Sequence, residues 1–513
     1  MQPGALPVLA IVVPVAGALL AGFGGRRSRI LREPVALAAT AANLVIIVAM
    51  GSAIVGRPSA GGLIVAGGTF WALSVDALSA VMVALIGLLS FLVVVYSTSH
   101  MRGLVSAGKI ADDRLPLFYS LVLLFSASMI WACVTDNIIV LYLAVEATTL
   151  ASALLVTFYW NKRALEAGYK YLLLLTVGIS FALFGCVLIY GALASYARGG
   201  HWNAMMLSQI RLSVHTIAAR APGMLVLAMA FLVIGFGTKA GLIPFHPWLP
   251  DAHAEAPSPV SVLLSGIVIK VGAYALIRTT LPFLNVLPAL QILLVLLGVA
   301  TMLVGIALVA AQDDLKRLLA YSSVSQIGYV VLGMGIGTSL GAFGAVYHII
   351  NHALAKSALF LGAGAVEQST GTRAISKLGG LARTMPVTAA CFIAACLALG
   401  GAPGLNGFMS KLTICLAAMR AGVWWAGVLA ALTGVFTLVV LVRAATAIFW
   451  GGGEAQAAPE AREVPVAMWA VMVVLVLLCV ALGAWPPWAV NALSQASAAI
   501  APPATSTALG PLQ

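Results

Sequence analysis

Residues 235–250 read GFGTKAGLIPFHPWLP, and residues 400–407 read GGAPGLNG. Each stretch interrupts a long apolar run with Gly and Pro. Proline removes a backbone donor and clashes with the preceding turn of a helix. At membrane depth, non-helical backbone is tolerated only where protein or water lines it. A lysine stands beside each interruption, Lys239 and Lys411. Together these stretches predict two discontinuous helices closing on a polar interior.

The rest of the chain fits that solvent. Of 513 residues, 62% are hydrophobic and 8% are charged. A soluble domain carries about 25% charged residues, and the mean hydropathy here is +1.08. The apolar runs do not alternate as barrel strands would, which selects helices. The net charge of +12 sits in short loops between runs. A topology signal explains it better than a nucleic-acid partner. All six cysteines, Cys133, Cys186, Cys391, Cys396, Cys415 and Cys479, lie inside apolar segments without a CxxC pair. They read as small buried hydrophobes, with no metal site and no cofactor motif in this chain. The N-terminus lacks a basic n-region, so its apolar stretch is expected to be a retained helix.

Fourteen spans are expected: 5–23, 35–56, 74–97, 116–134, 137–158, 169–194, 223–245, 258–280, 286–311, 319–337, 342–366, 386–420, 423–449 and 464–485. The interrupted spans are the seventh and the twelfth, an odd number apart. A second unit would then begin from the opposite side of the membrane, the mark of inverted repeats. The expected fold is an all-α integral membrane protein of about fourteen transmembrane helices. It would hold an N-terminal three-helix segment (1–115), a first repeat (116–280, helices 4–8) and a second (286–449, helices 9–13). A last helix (464–485) and a frayed, Pro/Ala/Ser-rich tail (486–513) would follow. The loop 195–222 places Met206, Ile210, Val214 and Ile217 at helical spacing, for a short interfacial helix or an irregular loop.

Alternate loops are rich in Arg and Lys: Arg26, Arg27, Arg29 and Arg32; Arg102, Lys109 and Arg114; Lys162 and Arg163; Lys316 and Arg317; Arg373, Lys377 and Arg383. The positive-inside bias makes that side cytoplasmic and both termini external, in a bacterial inner membrane.

An ionisable group at mid-membrane is unfavourable by about 2.5–3.5 kcal/mol, so each buried one is a candidate for function. Glu146 lies centrally in the fifth span and would modulate a neighbouring lysine or anchor two helices. Lys239 and Lys411 sit at the interruptions, as exchange sites or as snorkelling side chains. Lys270 lies too deep in the eighth span to snorkel easily. His348, His352 and Lys356 recur every four residues in YHIINHALAKSALF, along one helix face at about 6 Å intervals. Histidine both takes and gives protons near neutral pH, so this face suits a proton wire. No clustered carboxylate or thiolate supports a metal there. His246 in the interruption of the seventh span, and Asp251, His253 and Glu255 in the cytoplasmic loop expected after that helix, would serve as a proton inlet or as interhelix caps. Lys316 and Arg317 read mainly as topology charges.

The stretch KAGLIPFHPWLPDAHAEAPSPVSVLLSGIVIKVGAYALIR (239–278) closely resembles the core of the antiporter-like subunits. These occur in proton-pumping NADH:quinone oxidoreductase (complex I), multi-subunit sodium/proton antiporters and membrane-bound energy-converting hydrogenases. The resemblance continues through DDLKRLLAYSSVSQIGY (313–329), YHIINHALAKSALFL (347–361) and GAPGLNGFMSKL (401–412). It implies the fourteen-helix fold of paired inverted repeats. It implies a fifth-helix glutamate working with a seventh-helix lysine, here Glu146 and Lys239. It implies a central connection through Lys270, His348 and His352, and a terminal exchange lysine, Lys411. Ser180 stands where the largest members carry an acid, Ala147 replaces the familiar aromatic after the glutamate, and a long lateral helix is missing. The shorter class of subunit is therefore expected.

The expected function is proton translocation along Glu146, Lys239, Lys270, His348/His352, Lys356 and Lys411. The setting would be a redox-driven respiratory or hydrogenase-type complex. Other membrane subunits and a peripheral iron–sulfur/quinone or hydrogenase arm would be the partners, and any redox centre would lie outside this chain. Alternatives are a subunit of a sodium/proton antiporter or the membrane partner of an inorganic-carbon uptake complex. A sodium site needs several oxygen ligands, and Glu146 is the one deep carboxylate. A scaffold that only docks a soluble enzyme would not need the buried lysines.

Overall fold

The computed structural model describes residues 3–28, 30–55, 63–65, 70–194, 201–452 and 461–500. Its helices are α1 (Leu6–Arg27), α2 (Arg32–Val55), α3 (Ala77–Ser106), α4 (Leu115–Val134), α5 (Ile138–Val156) and α6 (Lys162–Ala194). The seventh is split into α7a (Pro222–Ala240) and α7b (Trp248–Glu255). Then come α8 (Ser258–Phe283), α9 (Pro288–Ala310), α10 (Leu315–Gly335) and α11 (Ser339–Thr370). The next is split into α12a (Pro386–Gly400) and α12b (Asn406–Arg420), followed by α13 (Trp424–Trp450), α14 (Val466–Gly483) and α15 (Pro487–Ala498). Thirteen helices of the described residues are long and apolar enough to cross a bilayer, and α12a is a shorter apolar helix. The chain is a helical, multi-pass integral membrane protein.

Both interruptions fall where Gly and Pro put them. Gly241 closes α7a with φ 79° and Gly401 closes α12a with φ 92°, left-handed conformations that a side chain would strain. α8, α10 and α11 form the centre, with the apolar window of α8 wholly buried, while α1, α2 and α14 stay largely on the outside. Small residues bring the central backbones together. A Cβ added at Gly328 on α10 would stand 2.6 Å from the Gly298 carbonyl oxygen of α9.

The arginine-rich loops are tied to one another on one face. Arg32 pairs with Asp112 at 2.6 Å, Arg102 with Glu33, Arg317 with Asp251 at 2.7 Å, and Arg373 with Asp314 at 3.2 Å. On the opposite face, Arg278 near the end of α8 pairs with Asp76, which caps α3 through the Ser79 amide. Burial works against ionisation of Asp76, but the Arg278 guanidinium and Ser79 outweigh it and hold the carboxyl below its usual range.

Three local features go beyond the expected spans. The loop between α2 and α3 carries a short antiparallel ribbon, Leu63–Val65 on Leu73–Val75, within an otherwise helical fold. In the loop between α6 and α7a, the helical alternative forms, as two short helices, Leu207–Leu212 and Val214–Arg220, with Ile210, Val214 and Ile217 buried; residues 195–200 lie outside the described residues. The segment expected to fray instead begins with α15, because Ala489, Leu493 and Ala496 recur on one face and pack inward on α3 and α11. The remainder of the tail expected at 486–513, residues 501–513, lies outside the described residues.

Candidate functional site

The first cluster joins α5, α6 and α7a. Lys239 is fully buried in the last turn of α7a. Its Nζ donates to Thr149 Oγ1 at 2.9 Å and lies 5.7 Å from the centre of the Tyr171 ring. Thr149 follows Glu146 by one turn on α5. Glu146 accepts from Thr176 of α6 at 3.0 Å through Oε1, and its Oε2 is buried without a hydrogen-bond partner. Glu146 and Lys239 are thus neighbours, with Thr149 taking the lysine's bond. The Glu146 charge still acts on Lys239.

The second cluster lies where α8, α10 and α11 meet. Residues Leu264–Val268 form a π turn in α8, and Lys270 reaches back from just beyond it to donate to the Ser265 carbonyl. The Ser265 hydroxyl meets that of Ser323 at 2.8 Å. Beside Ser323, Ser322 accepts from Lys356, which also donates to the Leu319 carbonyl. Two wholly buried lysines are therefore held on either side of a serine bridge, and Lys356 acts electrostatically on Lys270. α8 also touches the first cluster: a Cβ at Gly272 would sit 2.6 Å from the Ala240 nitrogen, next to Lys239.

The third cluster joins α10, α11 and α12b. The His348 and His352 rings stack with centroids 6.1 Å apart, as the four-residue spacing requires. Lys270 acts electrostatically on both. His348 Nδ1 lies 3.0 Å from Ser410 Oγ, and its ring centroid is 5.2 Å from that of Tyr329. Lys411, next to Ser410, donates to the Leu399 and Gly400 carbonyls at 2.7 and 3.0 Å. Those carbonyls end α12a, where a helix has no internal donors left. Its Nζ also lies 5.2 Å from the Tyr329 ring centre. Both ring nitrogens of His352, Nε2 of His348 and both amide atoms of Gln326 are buried without protein partners. Polar atoms so placed are ones that internal water binds.

The family described as "NADH:quinone oxidoreductase/Mrp antiporter, TM" matches residues 135–437, which contain all three clusters. The chain belongs to that antiporter-like family. A second family, "NADH-Ubiquinone oxidoreductase (complex I), chain 5 N-terminus", matches residues 69–109. NADH-quinone oxidoreductase subunit N of Desulforudis audaxviator is 35% identical over 73% of this chain and 74% of its own length. Hydrogenase-4 component B of Escherichia coli is 32% identical over 81% of this chain, which spans 62% of that relative. Among solved structures, a chain of the membrane-bound sulfane sulfur reductase, an archaeal respiratory membrane complex, superposes with a TM-score of 0.86 at 25% identity, covering 97% of this chain and 98% of that one. A chain of respiratory complex I from Thermus thermophilus gives 0.81 at 25% identity, covering 96% and 99%.

In this antiporter-like chain the four expected inlet residues separate. Asp251 is held by Arg317 at 2.7 Å and Lys170 at 3.9 Å. Glu255 lines a polar cavity of about 640 Å³. His246 is half-buried, with its ring centroid 6.3 Å from that of Tyr321. His253 is not a loop residue. The interrupted helix resumes as α7b and buries it, its ring stacked at 4.6 Å on Phe360, the ring that Lys356 also approaches at 5.7 Å. Lys316 is more than a topology charge, being 1% exposed and paired with Glu367 at 2.7 Å. Lys411 is not the positional counterpart of Lys239. Lys239 precedes its glycine and Lys411 follows Gly401, whereas Asp251 stands at the same distance past Gly241. Sequence reasoning passed over Thr149, Ser265, Ser322, Ser323, Gln326, Tyr329 and Ser410. The signal for four of them was present in SSVSQIGY, where Ser322, Ser323, Gln326 and Tyr329 share one face of α10.

Proposed function

We propose that this chain moves protons across the membrane as one subunit of a redox-driven respiratory or hydrogenase-type complex. The observation that carries this reading is the succession of buried lysines and imidazoles, Lys356 and Lys270 on either side of the serine bridge and the stacked His352 and His348, each within electrostatic reach of the next. Lys239 with Glu146 lies at one end and Lys411 at the other. Neighbouring charges alter each other's proton affinity, so a proton placed on one site drives the next to release. A bilayer gives no reason to bury four lysines, Lys239, Lys270, Lys356 and Lys411, unless they act.

The relatives are named as subunits of NADH-quinone oxidoreductase and hydrogenase-4. That supports a setting among other membrane subunits with a peripheral redox arm. Redox centres then belong to those partners, and this chain couples by charge alone. The two left-handed glycines closing α7a and α12a support a pair of inverted units, 116–280 and 286–449. The clustered basic loops support their placement on the cytoplasmic side of a bacterial inner membrane, with both termini outside.

The test is proton uptake by the purified complex in liposomes. Lys239→Ala and Glu146→Gln should each abolish most uptake while the complex still assembles. Unchanged uptake in both would overturn the proposal in favour of a docking scaffold.

A further inference from the structure

The three clusters do not include the water-facing residues on the side of the basic loops. The cavity of about 640 Å³ lined by Glu255 lies outside the clusters, under the end of α3, and its rim includes the exposed residues Lys109, Asn161 and Asp313. Its inner lining holds His100, a residue of the N-terminal three-helix segment that is only 3% exposed. His100 Nδ1 lies 2.7 Å from Gln368 Oε1 on α11. An oxygen partner requires a hydrogen on Nδ1, so in the neutral ring Nε2 carries the lone pair. That Nε2 is buried and has no protein partner. His100 lines the polar cavity, and a lone pair that the protein leaves unpaired there is a proton acceptor for internal water.

The groups beyond His100 lead inward. Glu367, beside Gln368, lines the same cavity and pairs with Lys316 at 2.7 Å. Lys316 is itself buried and donates to the Ala256 carbonyl at 3.2 Å, at the turn between α7b and α8. Lys316, Glu367 and Lys109 act electrostatically on His100, and Lys316, Lys356 and Lys270 act on His253. His253 in turn stacks on Phe360 beside Lys356. Ionisable groups thus lie between the cavity and Lys356 beside the serine bridge.

We propose that His100 is the proton-uptake residue of this chain, and that the cavity above it feeds the centre of the axis through Glu367, Lys316 and His253. The ring takes a proton at Nε2 from cavity water and passes it on, again through cavity water, to the Glu367 carboxylate that lines the same cavity, while Nδ1–H stays fixed by Gln368. Nothing is consumed: one proton enters the ring and one leaves. This inference rests on the proton-translocation reading above.

The experiment is proton uptake by the reconstituted complex carrying His100→Ala, with and without added imidazole. The cavity is large enough to admit that small base. Uptake should fall at least about 10-fold, the lower part of the range for a removed acid–base group, and imidazole should restore much of it. Lys270→Ala, measured in parallel, should be silent and stay silent with imidazole. Wild-type uptake by His100→Ala, or a loss in an assembled complex that imidazole leaves unchanged, would overturn the uptake role. With Lys270→Ala still silent, either result would leave the translocation reading standing. Normal uptake by Lys270→Ala would remove both. If His100→Ala does not assemble, His100→Gln keeps a donor toward Gln368 and decides the matter: lost uptake supports the role and wild-type uptake refutes it.

Discussion

Lys239 gives its hydrogen bond to Thr149, at 2.9 Å, and not to Glu146 one turn away on the same helix. The carboxylate therefore influences the lysine through space, while a hydroxyl fixes the lysine's position. A hydrogen bond to a charged group contributes about 1.5–3 kcal/mol, equivalent to a factor of ten or more. Thr149→Val should reduce proton uptake by the reconstituted complex about 10-fold, and Thr149→Ser should restore it. Equal rates for the two variants would show that the contact is only packing.

Lys356 separates function from stability. Replacing a buried charge with an apolar side chain of similar volume is often neutral or stabilising. Lys356→Met should leave the melting temperature of the complex unchanged or raised while proton uptake is lost. A variant that melts early would mark Lys356 as structural.

Ser410 stands between His348 and Lys411, 3.0 Å from the His348 ring. Ser410→Ala removes that hydroxyl without filling space. Uptake should drop several-fold while the complex still assembles, and Ser410→Thr should retain it. Initial rates of internal acidification in liposomes measure both.

The second interruption is packed too tightly for a side chain at Gly407. A Cβ there would stand 1.9 Å from the Ala398 carbonyl oxygen. Gly407→Ala should destabilise the protein by about 1–3 kcal/mol, seen as a lowered melting temperature in detergent. Gly452→Ala, with no atom within 4 Å of its Cβ, is the control and should melt as the wild type does.

Asp76 ties the start of α3 to Arg278. Its carboxyl is held below the usual range, so its contribution is present above the ordinary carboxylate pKa of about 3.9 and lost as pH falls through the folded-state value. Asp76→Asn should lower the melting temperature at neutral pH. The two melting curves should converge below about pH 4. A gap that stays constant as the pH falls well below that value, through the folded-state pKa, would show that the ion pair contributes nothing.

The sequence made the apolar spans, both interruptions and the histidine–lysine face of α11 legible, because each follows from local chemistry: hydropathy, Gly and Pro, and a spacing of four. The antiporter-like motifs added the pairing of Glu146 with Lys239; in the structure Lys239 bonds Thr149, one turn from Glu146, and Glu146 bonds Thr176. The serine bridge was hidden for a physical reason. A Ser or Thr in a membrane helix usually bonds its own preceding turn, as Ser322 and Ser323 also do with the Leu319 carbonyl. Only the packing of α8 on α10 shows that Ser323 meets Ser265 as well. His253 was placed in a loop because two prolines flank its short helix in HPWLPDAHAEAP, and composition there reads as a turn. His100 drew no attention, since a single histidine near the end of an apolar run has no sequence partner. Its neighbour Gln368 lies on α11, far away in the chain.

The central claim is that the buried lysines carry protons, and Lys270 tests it most directly. It is wholly buried and linked to Lys356 through the serine bridge. Proton uptake should be measured in liposomes holding the complex with Lys270→Ala, after native gels establish full assembly. The account predicts that uptake disappears while the partners remain bound. Uptake at the wild-type rate would contradict it.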